Sequence, residues 1–303
     1  MKRRPGLLQE LTGRLARQGF RPEVHVTTGP GDASRAAAQA VLSGRIDAVV
    51  AVGGDGTVHE IVNGVAGSPL PFAVLPTGTM NILAREIGLP LDPLRAADQF
   101  ADLAPRPVTA GRLGDGRYFL LMAGVGFDAY ALAIALRRAG TGKVTMAGYT
   151  VSALAAGRRF GFGGLDVECE GERWRGTSAI VGNTPRYGGN LRITPRASLV
   201  DPFLDLCLLQ GESLRSYLSV FRDVVLAGRH TRRRDVVYRK ASRIVLTPAA
   251  GPNAEGGARP TVRSLLQLDG EQAGELTGPL VIEARPAAVT LLVPPGYRAS
   301  GPS

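Results

Sequence analysis

Three glycines surround one carboxylate in the sequence GGDGT, at residues 53–57. Because glycine has no side chain, the backbone N–H groups of Gly53, Gly54 and Gly56 can approach a ligand closely. If the turn opens a helix, those N–H groups favour a bound anion such as a phosphate. Asp55 would repel a phosphate unless it holds Mg²⁺, orients a nucleophile or hydrogen-bonds a hydroxyl group. The alternative is an ordinary strand-to-helix turn in which Asp55 supports the loop.

The residues on either side of this turn predict the elements that position it. Residues 46–52 form a short, β-rich apolar run, which predicts a buried strand. After the turn Thr57 stands where a helix N-cap belongs, and His59 is expected as a partly exposed helix residue beside the turn. Apolar residues then recur at helical spacing, at Val58, Ile61, Val62 and Val65.

A second strand–turn–helix pattern follows in FAVLPTGTMNILAR, at residues 72–85. An apolar strand precedes a Pro-Thr-Gly turn, and Thr79 is placed as the cap of a helix that carries Ile82 and Leu83. Strands that alternate with helices predict a parallel sheet, which binds ligands at the carboxyl ends of its strands. We therefore expect both turns to open on the same sheet edge.

Together, GGDGT (53–57) and PTGTMN (76–81) resemble the diacylglycerol kinase catalytic-domain family, which includes sphingosine kinases and bacterial lipid kinases. NAD kinases and phosphofructokinases share a GGDG-type turn, so the pair is more specific than either turn alone. The resemblance implies an α/β N-terminal nucleotide-binding domain with a parallel sheet, like that of phosphofructokinase or NAD kinase. It further implies a C-terminal antiparallel β-sandwich domain with inserted helices, ATP and Mg²⁺ as cofactors, and a lipid alcohol such as diacylglycerol or a sphingoid base as acceptor.

The resemblance also assigns residues to the nucleotide. It places Thr27, at the end of a strand predicted over residues 23–27, against the nucleotide, whereas strand propensity alone could explain a threonine there. The family begins with a strand and a glycine-rich loop, but Met1 of this chain falls almost directly on the first helix. Either the site is reduced or the start lies further upstream. The implied cofactor-binding residues are Thr27, Gly53, Gly54, Asp55, Gly56, Thr57, Val58, His59 and Thr79.

Two further carboxylates occur in LQLDGEQAG, at residues 266–274. Asp-Gly is a common turn pair, so the residues alone favour a hairpin. The resemblance implies instead that the catalytic base lies in this turn, with Glu271 as the first choice and Asp269 as its neighbour. A carboxylate is a strong enough base for this role, because phosphoryl transfer depends mainly on positioning and charge stabilisation. Asp55 competes for the catalytic role and is assigned to the nucleotide and metal side.

The segment PRASLVDPFLDL, at residues 195–206, has aspartates on both sides of a bend. Oxygen ligands on a turn suit Mg²⁺ or Ca²⁺. The resemblance implies a structural metal held by the Ser198 carbonyl, the Asp201 carboxylate and the Phe203 carbonyl. Pro202 stands where the family usually has glycine, which weakens this expectation.

The 303 residues, 44% hydrophobic and 20% charged, fit two globular domains. We expect an α/β nucleotide-binding domain over 1–107, without its first strand, and a β-rich lipid domain over 108–303, whose C-terminal tail returns to the first domain. The prolines of APRPV (104–108) mark the crossing. Strands are predicted at 108–113, 117–123, 164–170, 174–182, 203–209, 235–246, 261–268, 279–284 and 288–293, and helices at about 93–103, 128–138, 144–156 and 213–227.

A formal net charge of +10 predicts attraction to an anionic partner. No motif with interleaved aromatic residues indicates nucleic-acid binding. Arg137-Arg138, Arg158-Arg159 and residues 229–234 could face an anionic membrane, or form a solvated face. Two cysteines form no disulfide framework, so we expect a cytoplasmic protein. We expect its positive charge to place it at the periphery of the inner membrane surface. We also expect a homodimer formed along an exposed sheet edge. The rival functions are a soluble-substrate kinase of NAD kinase type and a non-catalytic nucleotide- or lipid-binding protein.

Overall fold

The structure is a computed structural model that describes residues 6–139, 164–188, 191–225, 229–249 and 264–298. The predicted helix at 144–156 and the Arg158-Arg159 pair lie outside these residues. The chain divides into two compact units, one of Met1–Val108 with Ala287–Ala299 and one of Thr109–Pro286 with Ser300–Ser303. None of the described helices is long and apolar enough to cross a membrane.

The first unit is an α/β domain built on a parallel strand pair. Its helices are α1 (Leu7–Arg17), α2 (Asp32–Ser43), α3 (Asp55–Val65), α4 (Ile82–Glu86) and α5 (Pro93–Asp98), followed by a 3₁₀ turn at Phe100–Asp102. Strands β1 (Val49–Gly53) and β2 (Phe72–Pro76) pair in parallel along their whole length. This pairing brings the turns that follow the two strands to the same sheet edge, as the sequence pattern predicts.

Small residues and leucines set the packing of this unit. Leu11 of α1 and Leu94 of α5 form a buried cluster with Leu75 of β2. Helices α2 and α3 come into close contact at Gly64, where an added Cβ atom would lie 2.5 Å from the carbonyl oxygen of Ser34. A larger residue at position 64 would force the two helices apart.

The strand predicted over residues 23–27 is not formed. Residues 20–28 have no regular secondary structure, and the side chains of Val24 and Val26 are 51% and 55% exposed. A strand needs a partner for its backbone N–H and C=O groups, and no strand in the described part of the chain pairs with this segment. Among the described strands, β1 ends its sheet, so the predicted association of two copies along an exposed edge applies to β1.

The second unit is a sandwich of two antiparallel sheets. The strands that follow β2 are β3 (Ala104–Leu113), β4 (Tyr118–Phe119), β5 (Met122–Gly126), β6 (Gly164–Cys169), β7 (Glu172–Gly176), β8 (Ser178–Gly182), β9 (Arg186–Gly188), β10 (Leu191–Arg192), β11 (Leu204–Leu209), β12 (Val236–Ala241), β13 (Arg243–Ala249), β14 (Ser264–Leu268), β15 (Glu271–Leu276) and β16 (Leu280–Val293). The start of β3, up to Val108, and the end of β16, from Ala287, belong to the first unit. The helices of the second unit are α6 (Phe127–Ala139) and α7 (Leu214–Val225), with a 3₁₀ turn at Arg229–Arg232.

The two sheets bury their facing apolar side chains against each other. One sheet has the strand order β12-β11-β8-β5-β14-β15, and in the other β13 lies between β6 and β16. Val181 and Leu206 of the first sheet share a core with Val167 and Ile244 of the second. The predicted fold class, an α/β domain followed by an antiparallel sandwich with inserted helices, is therefore confirmed.

Other local predictions also differ from the structure. The strands predicted at 174–182 and 235–246 are each two strands, β7 with β8 and β12 with β13, and the members of each pair belong to different sheets. The strands predicted at 279–284 and 288–293 form one strand, β16, which passes through a left-handed residue, Ala287 (φ 53°). Strand β3 begins at Ala104 and not at the predicted residue 108, so the prolines of APRPV lie within it. Its first four residues are exposed, and proline is tolerated where a strand is exposed. Strand β15, which begins at Glu271, was not predicted, because its sequence EQAGEL is too polar to be read as a strand.

Candidate functional site

The two glycine turns of the first unit contact each other through their backbones. The N–H of Thr77 donates a hydrogen bond to the carbonyl oxygen of Gly53 at 2.9 Å. A Cβ atom on Gly78 would lie 2.6 Å from the Cα of Gly54, a separation that real side chains do not reach. Only glycine at position 78 therefore lets the turns meet, and the prediction that they are neighbours is confirmed.

Helix α3 begins at Asp55, so Thr57 is not its N-cap as predicted. Gly54 is the N-cap residue, and no side chain caps the helix. The Thr57 side chain packs on Gly53 instead, where an added Cβ would lie 2.3 Å from Thr57 Oγ1. The first N–H groups of a helix have no acceptor within the helix, and Gly54 and Gly56 place no side chain over them. This turn can therefore bind an anion such as a phosphate.

Val58 and His59 follow in the first turns of α3. The Val58 side chain is 2% exposed and belongs to the core, so only its backbone is placed to contact a ligand. His59 is half-buried, which agrees with its prediction as a partly exposed helix residue.

The Asp55 carboxylate links the two turns. Its Oδ1 accepts a hydrogen bond from the N–H of Leu83, in the first turn of α4, at 3.3 Å. The side chain is half-buried at the same sheet edge as the glycine N–H groups. Asp55 thus supports the loop, and a partly exposed carboxylate beside an anion site also fits Mg²⁺ that accompanies a nucleotide.

Asn81 holds the second turn and was not predicted as a site residue. Its Oδ1 accepts the N–H of Gly78 at 2.9 Å, and its Nδ2 donates to the Gly78 carbonyl at 3.1 Å. Asn81 is left-handed (φ 47°), which asparagine tolerates well, and it is the N-cap residue of α4. Thr79 is therefore not the cap. The sequence signal for this role is an asparagine directly before the first helical residue.

Thr27 precedes the loop that leads into α2. The N–H and hydroxyl of Thr28 donate hydrogen bonds to Asp32 Oδ2 at 2.8 and 3.0 Å, and these bonds lower the pKa of Asp32 to about 2. Glu60 of α3 accepts two backbone N–H groups at the start of α2, at 2.9 and 3.0 Å. Contact between Thr27 and a nucleotide stays a prediction.

Asp269 is a buried anchor of the second unit. Its side chain is 5% exposed and follows β14, and its backbone is left-handed (φ 52°). Its carboxylate accepts three backbone hydrogen bonds, from Leu120 at 3.0 Å, Leu121 at 2.7 Å and Met122 at 3.0 Å. These bonds hold the carboxylate in one orientation and join the hairpin to the start of β5.

Glu271 differs sharply from Asp269, although they are two residues apart. Glu271 is exposed and is the first residue of β15, where it pairs with Leu268 across the hairpin. A carboxylate at the tip of a rigid hairpin can accept a proton from an incoming group. The two predicted catalytic carboxylates therefore have different environments, one buried and structural and one accessible.

The turn predicted to hold a structural metal already contains a cation from the protein. The carbonyl of Ser198 accepts the N–H of Asp201 at 3.0 Å, and the Phe203 side chain is 43% exposed. The Lys240 ammonium on β12 donates to the Asp201 carboxylate and, at 3.0 Å, to the carbonyl of Arg196. Because the ammonium engages the only predicted side-chain ligand, these residues do not fit a divalent metal.

Asp205 and Tyr238 complete this charge network. Asp205 is fully buried, and its Oδ2 accepts the Tyr238 hydroxyl at 2.6 Å. Lys240 Nζ lies 3.2 Å from Asp205 Oδ1, an ion pair without hydrogen-bond alignment. Burial raises the pKa of Asp205, and the Tyr238 and Lys240 contacts oppose that rise. Burial opposes the charge of Lys240, but Asp201 and Asp205 raise its pKa overall.

In the described part of the chain, no group of three or more His, Cys, Asp or Glu side chains could hold a metal.

The fold and site define a two-unit class of protein, in which an α/β unit with paired glycine turns is joined to an antiparallel sandwich. Residues 2–113 match the diacylglycerol kinase catalytic domain, and residues 122–293 match the YegS C-terminal NAD kinase beta sandwich-like domain. The chain belongs to the diacylglycerol kinase family, as the two turns had indicated.

Individual relatives agree with this assignment. The chain is 30% identical to diacylglycerol kinase of Bacillus subtilis strain 168 over 287 residues, 90% of this chain and 87% of that protein. It is 32% identical to diacylglycerol kinase of Mycobacterium tuberculosis strain H37Rv over 272 residues, 87% of this chain and 82% of that protein. A crystal structure of a diacylglycerol kinase from Bacillus anthracis strain Sterne has the same fold, with a TM-score of 0.67, 22% identity, and coverage of 96% of this chain and 92% of that one.

Proposed function

We propose that this chain is an ATP-dependent lipid kinase that transfers the γ-phosphate to a lipid alcohol such as diacylglycerol or a sphingoid base. The observation that carries the proposal is the backbone contact between Gly54 and Gly78 at the carboxyl ends of two parallel strands. A surface of this kind offers N–H groups to the phosphates of a nucleotide. The family supports phosphoryl transfer, and relatives named diacylglycerol kinase support a lipid acceptor.

On the nucleotide side, backbone groups do most of the binding. Asp55 supports Mg²⁺ or the ribose while it keeps its hydrogen bond to Leu83. When bound, Mg²⁺ neutralises the negative charge of the phosphates. The other residues that contact ATP are Thr27, Gly53, Gly54, Gly56, Thr57, Val58, His59 and Thr79.

On the acceptor side, Glu271 takes the proton. The hydroxyl oxygen of the lipid attacks the γ-phosphorus, the bond from that phosphorus to the bridging oxygen breaks, and the hydroxyl proton passes to Glu271. The products are ADP and the phosphorylated lipid. Asp269 is a positioning residue, because its three backbone hydrogen bonds hold the turn that carries Glu271.

The lipid acceptor requires the enzyme to work at a membrane. A net charge of +10 favours an anionic lipid surface. The protein therefore acts as a cytoplasmic kinase, peripheral at the inner membrane surface.

The test is transfer of labelled γ-phosphate from ATP, with Mg²⁺, to a panel of lipid alcohols in mixed micelles. Glu271→Gln should lower the transfer rate by about 10²–10⁴-fold, the usual contribution of a general base. Glu275→Gln is the matched control, because Glu275 is exposed on the same strand. Asp55→Asn keeps a hydrogen-bond acceptor for Leu83 but removes the charge, so it should also abolish transfer, whereas Asp47→Asn at an exposed position should not.

Two results would replace this function. Phosphate on a water-soluble acceptor, without dependence on micelles, would indicate a kinase of NAD kinase type. Saturable ATP or lipid binding with no phosphate transferred would indicate a binding protein.

A further inference from the structure

Helix α7 (Leu214–Val225) exposes an apolar stripe of three residues. The side chains of Leu218, Phe221 and Val225 are 44%, 37% and 58% exposed. At 100° per residue, these positions fall within an arc of roughly 60° on the helix surface. The residues that pack on the sandwich, Tyr217, Val220 and Val224, occupy the adjoining arc, which begins about 40° beyond Phe221.

This stripe is unusual because the helix already buries an apolar side. A surface helix needs one apolar side to pack on its domain and normally presents polar groups elsewhere. Single exposed apolar residues are common, but a contiguous set marks a surface that meets something other than water.

Exposed arginines lie on one side of the apolar stripe. Arg215 and Arg222 are exposed on α7 itself, beside Leu218, at roughly 40–60° from it around the helix axis. Arg222 also pairs with Asp223 at 3.0 Å but remains 65% exposed. Three more exposed arginines follow in the chain, at Arg229, Arg232 and Arg234.

Few acidic groups offset these charges. Asp223 and Asp235 both bond to Arg233, at 2.8 and 2.7 Å, and Asp223 also pairs with Arg222, so these four residues form one network. Glu212 is exposed just before the helix and is the acidic residue that remains in this part of the chain, over the described residues 212–235. Residues 212–235 therefore carry six arginines against three acidic residues, a net positive charge.

We propose that α7 docks on an anionic phospholipid bilayer. The stripe enters the boundary between head groups and acyl chains, and Arg215, Arg222, Arg229, Arg232 and Arg234 contact the lipid phosphates. Charge complementarity favours a bilayer as the partner. A bilayer presents an apolar layer next to anionic phosphates, and α7 presents an apolar stripe next to arginines. The inference rests on the proposed function, since a kinase of lipid alcohols must reach its acceptor in a membrane.

The test measures co-sedimentation of the full chain with vesicles, without ATP. We expect binding to vesicles of equal parts phosphatidylcholine and phosphatidylglycerol, weak binding to phosphatidylcholine alone, and weaker binding at high salt. Leu218→Ser with Phe221→Ser should lower the affinity at least tenfold. Its control is Leu42→Ser, at an apolar residue that is 86% exposed in the first unit.

A charge variant tests the arginines separately. Replacing Arg229, Arg232 and Arg234 by Gln should weaken binding to anionic vesicles at least tenfold. The control replaces three exposed arginines of the first unit, Arg17, Arg21 and Arg45, by Gln and so removes the same total charge. Equal losses in both triple variants would show a general charge effect and overturn the assignment to α7. Circular dichroism melting checks that all variants are folded.

The outcomes separate this inference from the proposed function. Full vesicle binding by the α7 variants would overturn the docking surface, even if the chain phosphorylates lipids in micelles. Specific loss of vesicle binding in those variants, with no phosphate transfer by the parent chain, would support the surface and reject the kinase. A change from dimer to monomer in the stripe variant, with vesicle binding intact, would make the stripe an interface between two copies and overturn the membrane assignment.

Discussion

The glycine turns of the first unit and the acidic hairpin of the second shape their loops by opposite means. At Gly54 and Gly78 the absence of side chains lets two backbones touch. At Asp269 a buried carboxylate gathers three backbone N–H groups from residues 120–122. The first arrangement suits an anionic ligand, whereas the second satisfies the backbone within the protein.

The difference shows that a carboxylate beside a glycine can have either a structural role or access to a ligand. Asp55 and Asp269 each stand next to a glycine at the end of a strand, yet Asp55 is half-buried and Asp269 is 5% exposed. A group that satisfies three backbone donors is needed for stability. A carboxylate with water access is free of that structural duty, and in the proposed function the accessible carboxylate of the second unit, Glu271, is the base.

The largest expected effect follows from removing the buried carboxylate. Asp269→Ala leaves three backbone N–H groups without their acceptor, and an unsatisfied buried donor costs about 1–3 kcal/mol. We expect the free energy of unfolding to fall by about 4 kcal/mol in urea denaturation. Asp269→Asn keeps an acceptor oxygen and should lose less. A loss no larger than that of Glu271→Ala would erase the distinction between the two carboxylates.

The next effect concerns the contact between the glycine turns. In Gly78→Ala the new Cβ would lie 2.6 Å from Gly54 Cα and 2.7 Å from Asn81 Oδ1. Overpacking of this kind costs about 1–3 kcal/mol, and displacement of the turns should weaken ATP binding in calorimetry. The control is Gly13→Ala, where the nearest atom to the Cβ, Arg17 Nη1, is 3.8 Å away. Unchanged ATP affinity in Gly78→Ala would show that the contact does not shape the nucleotide site.

A third prediction concerns the internal cation of the second unit. Lys240→Met leaves Asp201 and Asp205 without their ammonium, and we expect a loss of about 2 kcal/mol, less than for a fully buried pair because Lys240 is 32% exposed. Thermal melting without nucleotide should be the same in EDTA and in Mg²⁺ for the parent chain. Part of the loss in Lys240→Met should be regained with Mg²⁺. Marked stabilisation of the parent chain by Mg²⁺ alone would show that this turn does bind a metal.

The smallest effect is a dependence of stability on pH. His230 is fully buried, and its Nε2 donates to the carbonyl of Ile193 at 2.8 Å. Burial lowers its pKa from 6.5, so the neutral ring is favoured in the folded protein. The contribution of the neutral His230 ring to the free energy of unfolding is complete above about pH 6.5. It is lost as the pH falls toward the lower pKa of the folded protein, because over this range only the unfolded chain binds the proton. In denaturation at pH 5 and pH 8, His230→Gln should reduce the difference between the two pH values. An unchanged difference would assign the pH dependence to other groups.

The sequence predicted the site best where local rules apply. The strand–turn–helix patterns around Gly53 and Pro76 were correct, because hydrophobic periodicity and glycine act over a few residues. The predicted caps were wrong by three residues at Thr57 and by two at Thr79, since helix ends are the least certain part of such a pattern. The strand over residues 23–27 was wrong because a strand also needs a partner, which a local pattern does not reveal.

By itself, then, the sequence determined the two strand–turn–helix patterns, the paired glycine turns and the family, all of which follow from short-range patterns. The tertiary structure alone decided that Asp269 is an anchor, since its partners lie 147–149 residues away in the chain. It likewise revealed that the ammonium of Lys240, 39 residues from Asp201 in the chain, bonds the carboxylate that was predicted to bind a metal ion. Burial and long-range hydrogen bonds decide whether a carboxylate stabilises the fold or faces a substrate, and neither is encoded in the residues beside it.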